Sequence, residues 1–552
     1  MDFALLSSKV KIRHLDRLSP PPFDGSLHAL NRARLVASLR SGASPPPPGS
    51  FALFAGGTEQ LRHETDHEPI FRQESFFHWA FGVREPDCYG AISLDTGAAT
   101  LFIPHLPPSY AVIMGRIKGP EEWRALYGVE AVEYVGDLAS VLRAGVGASG
   151  RLLTLHGQNT DSHNFSKPAS FAGIEEFTVD QAALWPAAVE LRVIKTPAEQ
   201  AQLRYVGAVS SEAHIAVMQA VCEGMVEYQL ESLFSHWCHF YGGCRHNSYT
   251  CICASGLNAS VLHYGHAGEP NARRLGREDL CLFDMGGEYA CYGADITCSF
   301  PVSGKFSPSQ RVVYQAVLAA VYAVEDAIKP GVCWLDMHTL SYRCVGGCTA
   351  VEHAAAHTPA SFLYTHTHSL SLSLSLSHTH THTHSASPPP HPSRVLLTHL
   401  IAAGLVVGDV EAALAADIGA VFMPHGLGHF LGIDTHDVGG YVGGATRPAR
   451  AGYARLRTTR VLAEGMYITV EPGCYFIDVL LDAALADPVQ APFLCAAAIA
   501  PYRGTGGVRI EDDVLVTAGG CENFTLAPRT VEDVEAACAG AITSIEQVKK
   551  HH

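Results

Sequence analysis

The chain has 552 residues, of which 47% are hydrophobic and 17% charged, and its formal net charge is −16 at pH 7. This composition predicts a folded protein of two or three domains rather than a disordered chain. It excludes nucleic acid as an expected partner, since phosphate binding needs clustered lysine and arginine. No apolar run has the length of a membrane span, so a membrane protein is not expected either.

The first residues, MDFALLSSKVKIRH, hold an apolar core of only four residues and do not predict a secretory signal. A weak organellar transit peptide stays open, although Asp2 and Asp16 argue against it. Sixteen cysteines are scattered through apolar runs, without paired CxxC motifs at metal-binding spacing. This pattern favours reduced thiols and a cytoplasmic location.

Residues 1–193 are predicted to form an amino-terminal α/β domain. A helix is predicted over 28–41, and the prolines at 45–48 predict a loop after it. Four strand-like runs then alternate with two helical ones, and such alternation indicates an α/β domain. The strand-like runs are FALFAG, YGAISLD, ATLFIP and LLTLHG, and the helical runs are EEWRALYG and DLASVLRAG.

A second domain is predicted over residues 194–540. Thr196-Pro197-Ala198-Glu199 is a capping box with proline at the first helical position, which predicts the start of a long helix. A second helix is predicted up to Gly242-Gly243, and strands are predicted to carry HNSYTCIC and VLHYGHAG. Ser307 is predicted to cap another long helix that ends before Pro330-Gly331.

The functional prediction starts from the segment 280–301, LCLFDMGGEYACYGADITCSFP. Its apolar run predicts a buried strand that ends at Asp284, Gly286-Gly287 predicts a turn, and a facing strand is predicted to carry Asp295. Two carboxylates that face each other repel unless a cation lies between them. The pair therefore indicates a hard metal ion.

Further candidate ligands follow downstream, each beside glycine or proline. They are His429 in MPHGLGHFLG, Glu471 in TVEPGCYF and Glu511 in GVRIEDDV. With the two aspartates they give one imidazole and four carboxylates, which is too oxygen-rich for a structural zinc site. The set suits two ions of the manganese type.

In this ligand order and its flanking sequences, the chain resembles the pita-bread metallopeptidases and, among them, the eukaryotic prolidases (Xaa-Pro dipeptidases). The other motifs that carry the resemblance are FRQESFFHWAFGV (71–83), HNSYTCIC (246–253), VLHYGHAG (261–268) and DITCSFP (295–301). Cys298 favours this branch over the aminopeptidase P relatives, which tend to carry an arginine there. The resemblance implies an α+β fold, in which a pita-bread catalytic domain follows a smaller, non-catalytic domain that contributes to a homodimer and to a lid.

The resemblance also implies the role of each ligand. Asp284 would bind one metal, Asp295 and Glu511 would bridge both, and His429 and Glu471 would hold the second. Two Mn²⁺ ions per chain would lower the pKa of a shared water so that hydroxide is available near neutral pH. Glu471 would also be catalytic, as the group that moves the proton of this nucleophile.

Four residues are implied to contact the substrate. His263 and His436 would be catalytic and would stabilise the oxygen of the tetrahedral intermediate, while Tyr249 would line the substrate site. Arg457 would pair with the terminal carboxylate of a dipeptide, although it could also be a surface cation beside Arg455 and Arg460. His425 is interpreted as supporting the ligands, because Gly426 and Gly428 argue against a helix that would make it a metal partner of His429.

The implied reaction is hydrolysis of dipeptides with a carboxyl-terminal proline or hydroxyproline. Two alternatives stay open: an Xaa-Pro aminopeptidase of the same fold, and an inactive or purely binding member of it. Residues 344–394, with Leu-Ser and Thr-His alternation, interrupt the predicted catalytic domain and predict a disordered low-complexity insertion or a translated intron. Removing them joins SYR to VLL and restores one predicted helix.

Overall fold

The structure is a computed structural model that describes residues 18–22, 25–342 and 396–549. Three predictions lie outside the described residues: the absence of a leader at the amino terminus, the insertion at 344–394, and the single helix expected once the insertion is removed. Two separate helices, Trp334–Tyr342 and Leu396–Ala402, flank that gap.

A six-stranded mixed sheet forms the amino-terminal part of the fold. Its strand order is β4-β3-β2-β1-β5-β6, with β1–β2 and β2–β3 antiparallel and the other pairs parallel. The strands are β1 Phe51–Ala55, β2 Tyr89–Ser93, β3 Ala99–Ile103, β4 Ala131–Tyr134, β5 Leu152–Thr154 and β6 Val179–Asp180. The helices are Ser26–Ser41, Ser75–Phe81, Tyr110–Met114, Pro120–Tyr127, Leu138–Gly145 and Leu184–Val193. The predicted α/β alternation is therefore confirmed.

The second part of the fold begins with the capping box predicted at Thr196. The Thr196 hydroxyl accepts a hydrogen bond from the Glu199 N–H, and the Glu199 carboxylate accepts one from the Thr196 N–H at 2.8 Å. These bonds satisfy two free donors of the helix Pro197–Ala220. The other helices are Glu227–Gly242, Pro308–Ala327, Val410–Ala415, Ile418–Phe422, Asp478–Ala486, Ala496–Ile499 and Val531–Cys538.

Small sheets carry the chain from these helices to the centre of the second part. Three are three-stranded and antiparallel, in the orders β12-β9-β8, β13-β16-β17 and β11-β10-β7, and the fourth is the two-stranded β14-β15. The strands are β7 His246–Asn247, β8 Ile252–Ser255, β9 Leu280–Asp284, β10 Gly287–Tyr289, β11 Tyr292–Gly293, β12 Thr297–Pro301, β13 Tyr467–Val470, β14 Gly473–Tyr475, β15 Gly507–Arg509, β16 Asp512–Val516 and β17 Cys521–Asn523. Mixed helices and antiparallel sheets agree with the predicted α+β class.

Two strand predictions were wrong. VLHYGHAG is a run of turns, because Gly265 has a φ of 91° and the Tyr264 N–H donates to the Val261 carbonyl. Asp295 lies between β11 and β12 and not on a facing strand, since an additional hairpin of β10 and β11 separates it from Asp284. The strand β12 does pair with β9, with Thr297 opposite Asp284.

Within the described ranges, no helix has the length and apolar character needed to cross a bilayer. The cysteines of the same ranges are free thiols. Half of them are buried in the core of the second part, where burial raises the thiol pKa, as for Cys251 and Cys253.

Candidate metal centre

The two aspartates reach the centre from the same end of the β9–β12 pair, where Thr297 lies opposite Asp284. Asp284 ends β9 and is 7% exposed, and Asp295 lies two residues before β12 and is 4% exposed. The Asp295 backbone N–H donates to Oδ2 of Asp513 at 3.0 Å, which fixes the chain at this point. Both carboxylates are thus held on rigid backbone in the interior.

His429 is held by hydrogen bonds to Thr469 and Phe430. Its N–H donates to the Thr469 hydroxyl at 3.0 Å, and its Nδ1 bonds the Phe430 carbonyl at 3.0 Å. The other ring nitrogen, Nε2, lies 3.3 Å from Oδ2 of Asp295 and 3.7 Å from Oε1 of Glu471. A histidine whose Nδ1 bonds a carbonyl presents Nε2 to a metal, as ligating histidines commonly do.

The two glutamates come from the strands β13 and β16. Glu471 follows β13 directly, and Glu511 directly precedes β16. Glu511 accepts a hydrogen bond from the Thr297 hydroxyl at 2.7 Å. Ligand atoms of Asp295, His429 and Glu511 all lie within 4.8 Å of one another, so residues up to 216 positions apart in sequence meet at one point.

The electrostatics of this cluster favour a cation. Burial raises the pKa of Asp284 to about 7, although the Arg509 charge opposes the rise and Asp295 adds to it. Burial raises the pKa of Glu511 well above its ordinary value, and the charges of Asp295 and Glu471 add to this shift. Negative charge concentrated in so small a buried volume is unfavourable by itself, and a divalent cation would relieve it.

The chemistry of the donors fits the predicted metals. Four carboxylates and one imidazole are ligands that manganese and similar divalent ions accept, whereas structural zinc sites are usually built from cysteine and histidine. The pKa values of Glu471 and His429 are both raised in this cluster. Burial raises the pKa of Glu471; burial lowers that of His429, but the hydrogen bond with Asp295 and the charge of Glu471 raise it overall.

His436 lies beside the ligands, on the segment 434–437. Its ring is 4.6 Å from that of His429, centroid to centroid, at an angle of 88°. The flanking Asp434 and Asp437 both accept hydrogen bonds from Nη2 of the buried Arg192, at 2.8 and 2.6 Å, which fixes the segment. Burial, followed by the charges of His429 and Arg457, lowers the pKa of His436 to about 2, so the ring is neutral at physiological pH.

His263 is exposed on the run of turns that replaces the predicted strand. Although the residue is exposed, partial burial of its ring, followed by the charges of Arg509 and Arg457, lowers its pKa. Arg457 is partly exposed, and its Nη1 lies 3.3 Å from Oδ2 of Asp161 in the amino-terminal part. His263, His436 and Arg457 are therefore close enough to interact electrostatically, as expected of residues that share one substrate site.

Tyr249 and His425 contact ligands of the cluster directly. The Tyr249 hydroxyl donates to Oδ1 of Asp284, so the structure places it on one of the predicted ligands. His425 Nδ1 lies 3.8 Å from Oε2 of Glu471, and its Nε2 is 3.1 Å from the Tyr475 hydroxyl. The segment around His425 is not helical, in agreement with the prediction.

Arg509 is the residue of the centre that the sequence prediction missed. It is 4% exposed, and its Nη2 donates to Oδ2 of Asp284 at 2.6 Å. It also donates to the Tyr475 hydroxyl at 2.8 Å and to the Thr297 hydroxyl at 3.0 Å. Strand alternation could have found it, because Arg509 and Glu511 are two residues apart and so belong to the same side of an extended chain.

Cys298 contacts a second buried arginine, Arg529, which also contacts the backbone of Glu511. Its thiol accepts a hydrogen bond from Nη1 of Arg529 at 3.4 Å. Nη2 of Arg529 donates to the backbone carbonyl of Glu511 at 2.5 Å and to Oδ1 of Asp512 at 2.6 Å. Arg529 thus supports the backbone that presents Glu511.

Comparison with protein families gives two matches along the chain. Residues 201–518 match metallopeptidase family M24, and residues 28–153 match the aminopeptidase P amino-terminal domain. The first match takes in all five predicted ligands. The second takes in most of the six-stranded sheet.

Curated relatives match over nearly the whole length. An Xaa-Pro dipeptidase of Homo sapiens is 50% identical over 515 residues, which cover 93% of this chain and 94% of the relative. A probable Xaa-Pro aminopeptidase of Verticillium alfalfae is 31% identical and covers 93% of this chain and 97% of the relative.

Solved structures share the fold. The aminopeptidase PepP of Pseudomonas aeruginosa has a TM-score of 0.68 and 27% identity, with 93% of this chain and 98% of that one covered. Zn-substituted Escherichia coli aminopeptidase P in complex with product has a TM-score of 0.67 and 25% identity, with 93% and 99% covered.

Proposed function

Because this chain belongs to metallopeptidase family M24, we propose that it is a metal-dependent Xaa-Pro dipeptidase. It hydrolyses dipeptides that carry a carboxyl-terminal proline or hydroxyproline. Identity of 50% to a human Xaa-Pro dipeptidase over 93% of the chain supports this substrate class. The observation that carries the proposal is the convergence of Asp295, His429 and Glu511 within 4.8 Å.

The residues that would hold the metal are Asp284, Asp295, His429, Glu471 and Glu511. Two Mn²⁺ ions are proposed per chain, and the number of carboxylates supports two rather than one. When bound, such ions act as Lewis acids and lower the pKa of water, which makes a nucleophile available near neutral pH. The protein residues around them perform the other steps.

Glu471 is proposed to accept the proton of the attacking water and to deliver it to the prolyl nitrogen when the amide bond breaks. Its side chain is 18% exposed, which leaves it open to the substrate side. The raised pKa of Glu471, caused first by burial, brings this carboxyl nearer to the operating pH of a general base and acid. The delivery matters because the nitrogen of an Xaa-Pro bond carries no hydrogen of its own.

His263 and His436 are proposed to stabilise the developing negative charge on the carbonyl oxygen. Both have a lowered pKa, caused first by burial, so each is a neutral imidazole that can donate one hydrogen bond without adding charge. Arg457 is proposed to bind the carboxylate of the dipeptide, for which its planar guanidinium is suited. Tyr249 is proposed to shape the substrate site while it holds Asp284.

Three further features stay proposals. A homodimer is proposed from the family resemblance, with the amino-terminal part contributing to the dimer and to a lid. The free thiols of the described residues support a cytoplasmic location. The domain limits 1–193 and 194–540 are consistent with the two family matches at 28–153 and 201–518.

The second candidate function is an Xaa-Pro aminopeptidase, which would release the first residue from longer peptides. The solved structures of similar fold are named aminopeptidases, which favours keeping this candidate. Against it, Arg457 has a charge and position suited to a carboxylate at the end of a dipeptide. Cys298, in contact with Arg529, also stands where aminopeptidase P relatives tend to have arginine.

The test is release of proline by the purified full-length chain with added Mn²⁺. Gly-Pro and Gly-Pro-Ala are the substrates, and chelator-treated enzyme is the control. Mn²⁺-dependent cleavage of Gly-Pro with little cleavage of Gly-Pro-Ala is expected. Preference for Gly-Pro-Ala would establish the aminopeptidase instead, and cleavage of neither substrate, despite about two bound metals per chain, would contradict both.

A further inference from the structure

A turn of the amino-terminal part reaches Arg457. The turn is closed by a bridge between Gln158 and Phe165 and follows β5. Its tip is held by Asn159, whose side-chain oxygen accepts hydrogen bonds from the N–H groups of Asp161 and Ser162 at 2.9 Å each. The position of Asp161 is therefore set by the turn itself.

The Asp161 carboxylate lies between two arginines of the second part of the fold. Its Oδ2 is 3.3 Å from Nη1 of Arg457, and its Oδ1 accepts a hydrogen bond from Nη2 of Arg447. Arg447 is fixed in turn, because it donates to the carbonyls of Leu456 and Thr160 at 2.6 and 3.1 Å. Asp161 thus links Arg457 to Arg447, whose hydrogen bonds reach both the amino-terminal part and the second part of the fold.

The charge of Arg457 also acts on the two histidines predicted to be catalytic. Its charge contributes to the lowered pKa of His436 and of His263, after burial in both cases. The ion pair involves Nη1 of Arg457, and a guanidinium has further N–H groups that can bind a carboxylate in two parallel hydrogen bonds. With 26% of the Arg457 side chain and 16% of the Asp161 side chain exposed, the pair is partly shielded from water.

We propose that Asp161 is a positioning residue for substrate recognition, which holds the Arg457 guanidinium in place to select the free carboxylate of a dipeptide. This inference rests on the proposed function, in which Arg457 binds that carboxylate. Asp161 and the two arginines together carry one net positive charge, which matches one substrate carboxylate. Without Asp161, two neighbouring guanidinium groups would repel each other and Arg457 would lose its fixed orientation.

The experiment compares Asp161→Asn with the wild type on Gly-Pro and on Gly-Pro amide, with added Mn²⁺. We expect KM for Gly-Pro to rise roughly fivefold with kcat nearly unchanged, in proportion to a partly exposed ion pair. For the amide, which lacks the carboxylate, KM or the inhibition constant against Gly-Pro should not change. Asp161→Glu, which keeps the charge, should restore part of the loss.

The matched control is Asp180→Asn, which removes an ion pair of the same sheet. The ion pair of Asp180 is with Arg151, at 3.4 Å, and does not involve Arg457, so this variant should keep the wild-type KM. Arg457→Met should raise KM for Gly-Pro by roughly 10- to 100-fold, as expected for loss of a charged hydrogen-bond partner. Asp161→Asn should add little in the Arg457→Met background, because the two residues act as one unit.

Two results would overturn the inference and leave the proposed function intact. One is a raised KM in Arg457→Met together with a wild-type KM in Asp161→Asn. The other is an equal change for Gly-Pro and its amide in Asp161→Asn, which would indicate a merely structural role. Absence of Gly-Pro hydrolysis by the wild type, or an unchanged KM in Arg457→Met, would overturn the inference by removing the role of Arg457 on which it rests.

Discussion

Nη2 of Arg509 lies 2.6 Å from Oδ2 of Asp284, although the two residues are 225 positions apart in the sequence. Both are buried, with 4% and 7% of their surfaces exposed. The guanidinium supplies positive charge beside a ligand that burial would otherwise drive toward its neutral form. Through Thr297 it is also linked to Glu511, so one side chain supports two of the five predicted ligands.

Arg509→Met should therefore lower the free energy of unfolding of the metal-free protein by about 3–5 kcal/mol, since it leaves a buried carboxylate without its partner. Added Mn²⁺ should reduce this difference, because the metal then becomes a partner of Asp284. Urea unfolding with chelator and with Mn²⁺ measures both values. Arg503→Met is the matched control, since Arg503 forms its ion pairs with Asp478 and Asp482 at the surface. Equal effects of the two variants would contradict the role given to Arg509.

The pKa of Asp284 predicts how the stability of the metal-free protein depends on pH. Burial raises this pKa from 3.8 to about 7, so the folded state binds the proton more tightly than the unfolded state. The resulting stabilisation is complete below about pH 4 and is lost as the pH rises to about 7, a loss of roughly 4 kcal/mol. Urea unfolding of chelated protein between pH 4 and 8 should show it, and Asp284→Asn should show a weaker dependence.

Bound metal should reverse the sign of that dependence. The ligands must lose their protons to bind a cation, so Mn²⁺ should stabilise the protein more at pH 8 than at pH 5. At a free Mn²⁺ concentration 100 times the dissociation constant, the expected gain is about 2.7 kcal/mol. Thermal unfolding at both pH values, with Mn²⁺ and with chelator, measures the gain. A larger gain at pH 5 would be incompatible with carboxylate ligands.

His436 should contribute to kcat rather than to metal binding. His436→Ala removes the neutral imidazole beside His429 and should lower kcat for Gly-Pro by about 10²–10³-fold, the usual effect of losing a hydrogen bond to a developing oxyanion. The number of bound metals per chain should stay at the wild-type value. Because the pKa of His436 is lowered to about 2, the pH–rate profile should lack an inflection near pH 6.5 from this ring. A loss of metal in the variant would assign His436 to the ligands instead.

The sequence indicated the local elements better than the contacts between distant residues. The apolar run 280–283 correctly predicted a buried strand ending at Asp284, and Thr196 and Ser307 both cap the helices predicted for them. These features depend on neighbours within a few residues. The partnerships of Arg509 with Asp284 and of Asp161 with Arg457 depend on how separate sheets pack, and no periodicity in the chain encodes that packing.

The misplaced strand for Asp295 has a local cause. Between the glycines at 286–287 and Asp295 the chain forms the tight hairpin of β10 and β11, with Tyr289 opposite Tyr292. Its two turn residues, Ala290 and Cys291, have φ values of 48° and 63°. Turns of this kind favour asparagine and glycine, so an alanine-cysteine pair carries no turn signal, and the pattern predicts a strand that continues to Asp295.

The same turn predicts a stabilising substitution. An alanine at a positive φ costs roughly 1–2 kcal/mol relative to a residue without a Cβ, so Ala290→Gly should raise the free energy of unfolding by about 1 kcal/mol after the entropy cost of glycine in the unfolded chain. Ala98→Gly, in the turn between β2 and β3 at a residue without positive φ, is the control and should lose several tenths of a kcal/mol. Urea unfolding compares the three proteins.

Metal content and Gly-Pro turnover should be unchanged in Ala290→Gly. The relief of strain stays within the hairpin and leaves the backbone hydrogen bond from Asp295 to Asp513 in place. If both glycine variants were destabilised equally, the positive φ of Ala290 would not be a source of strain.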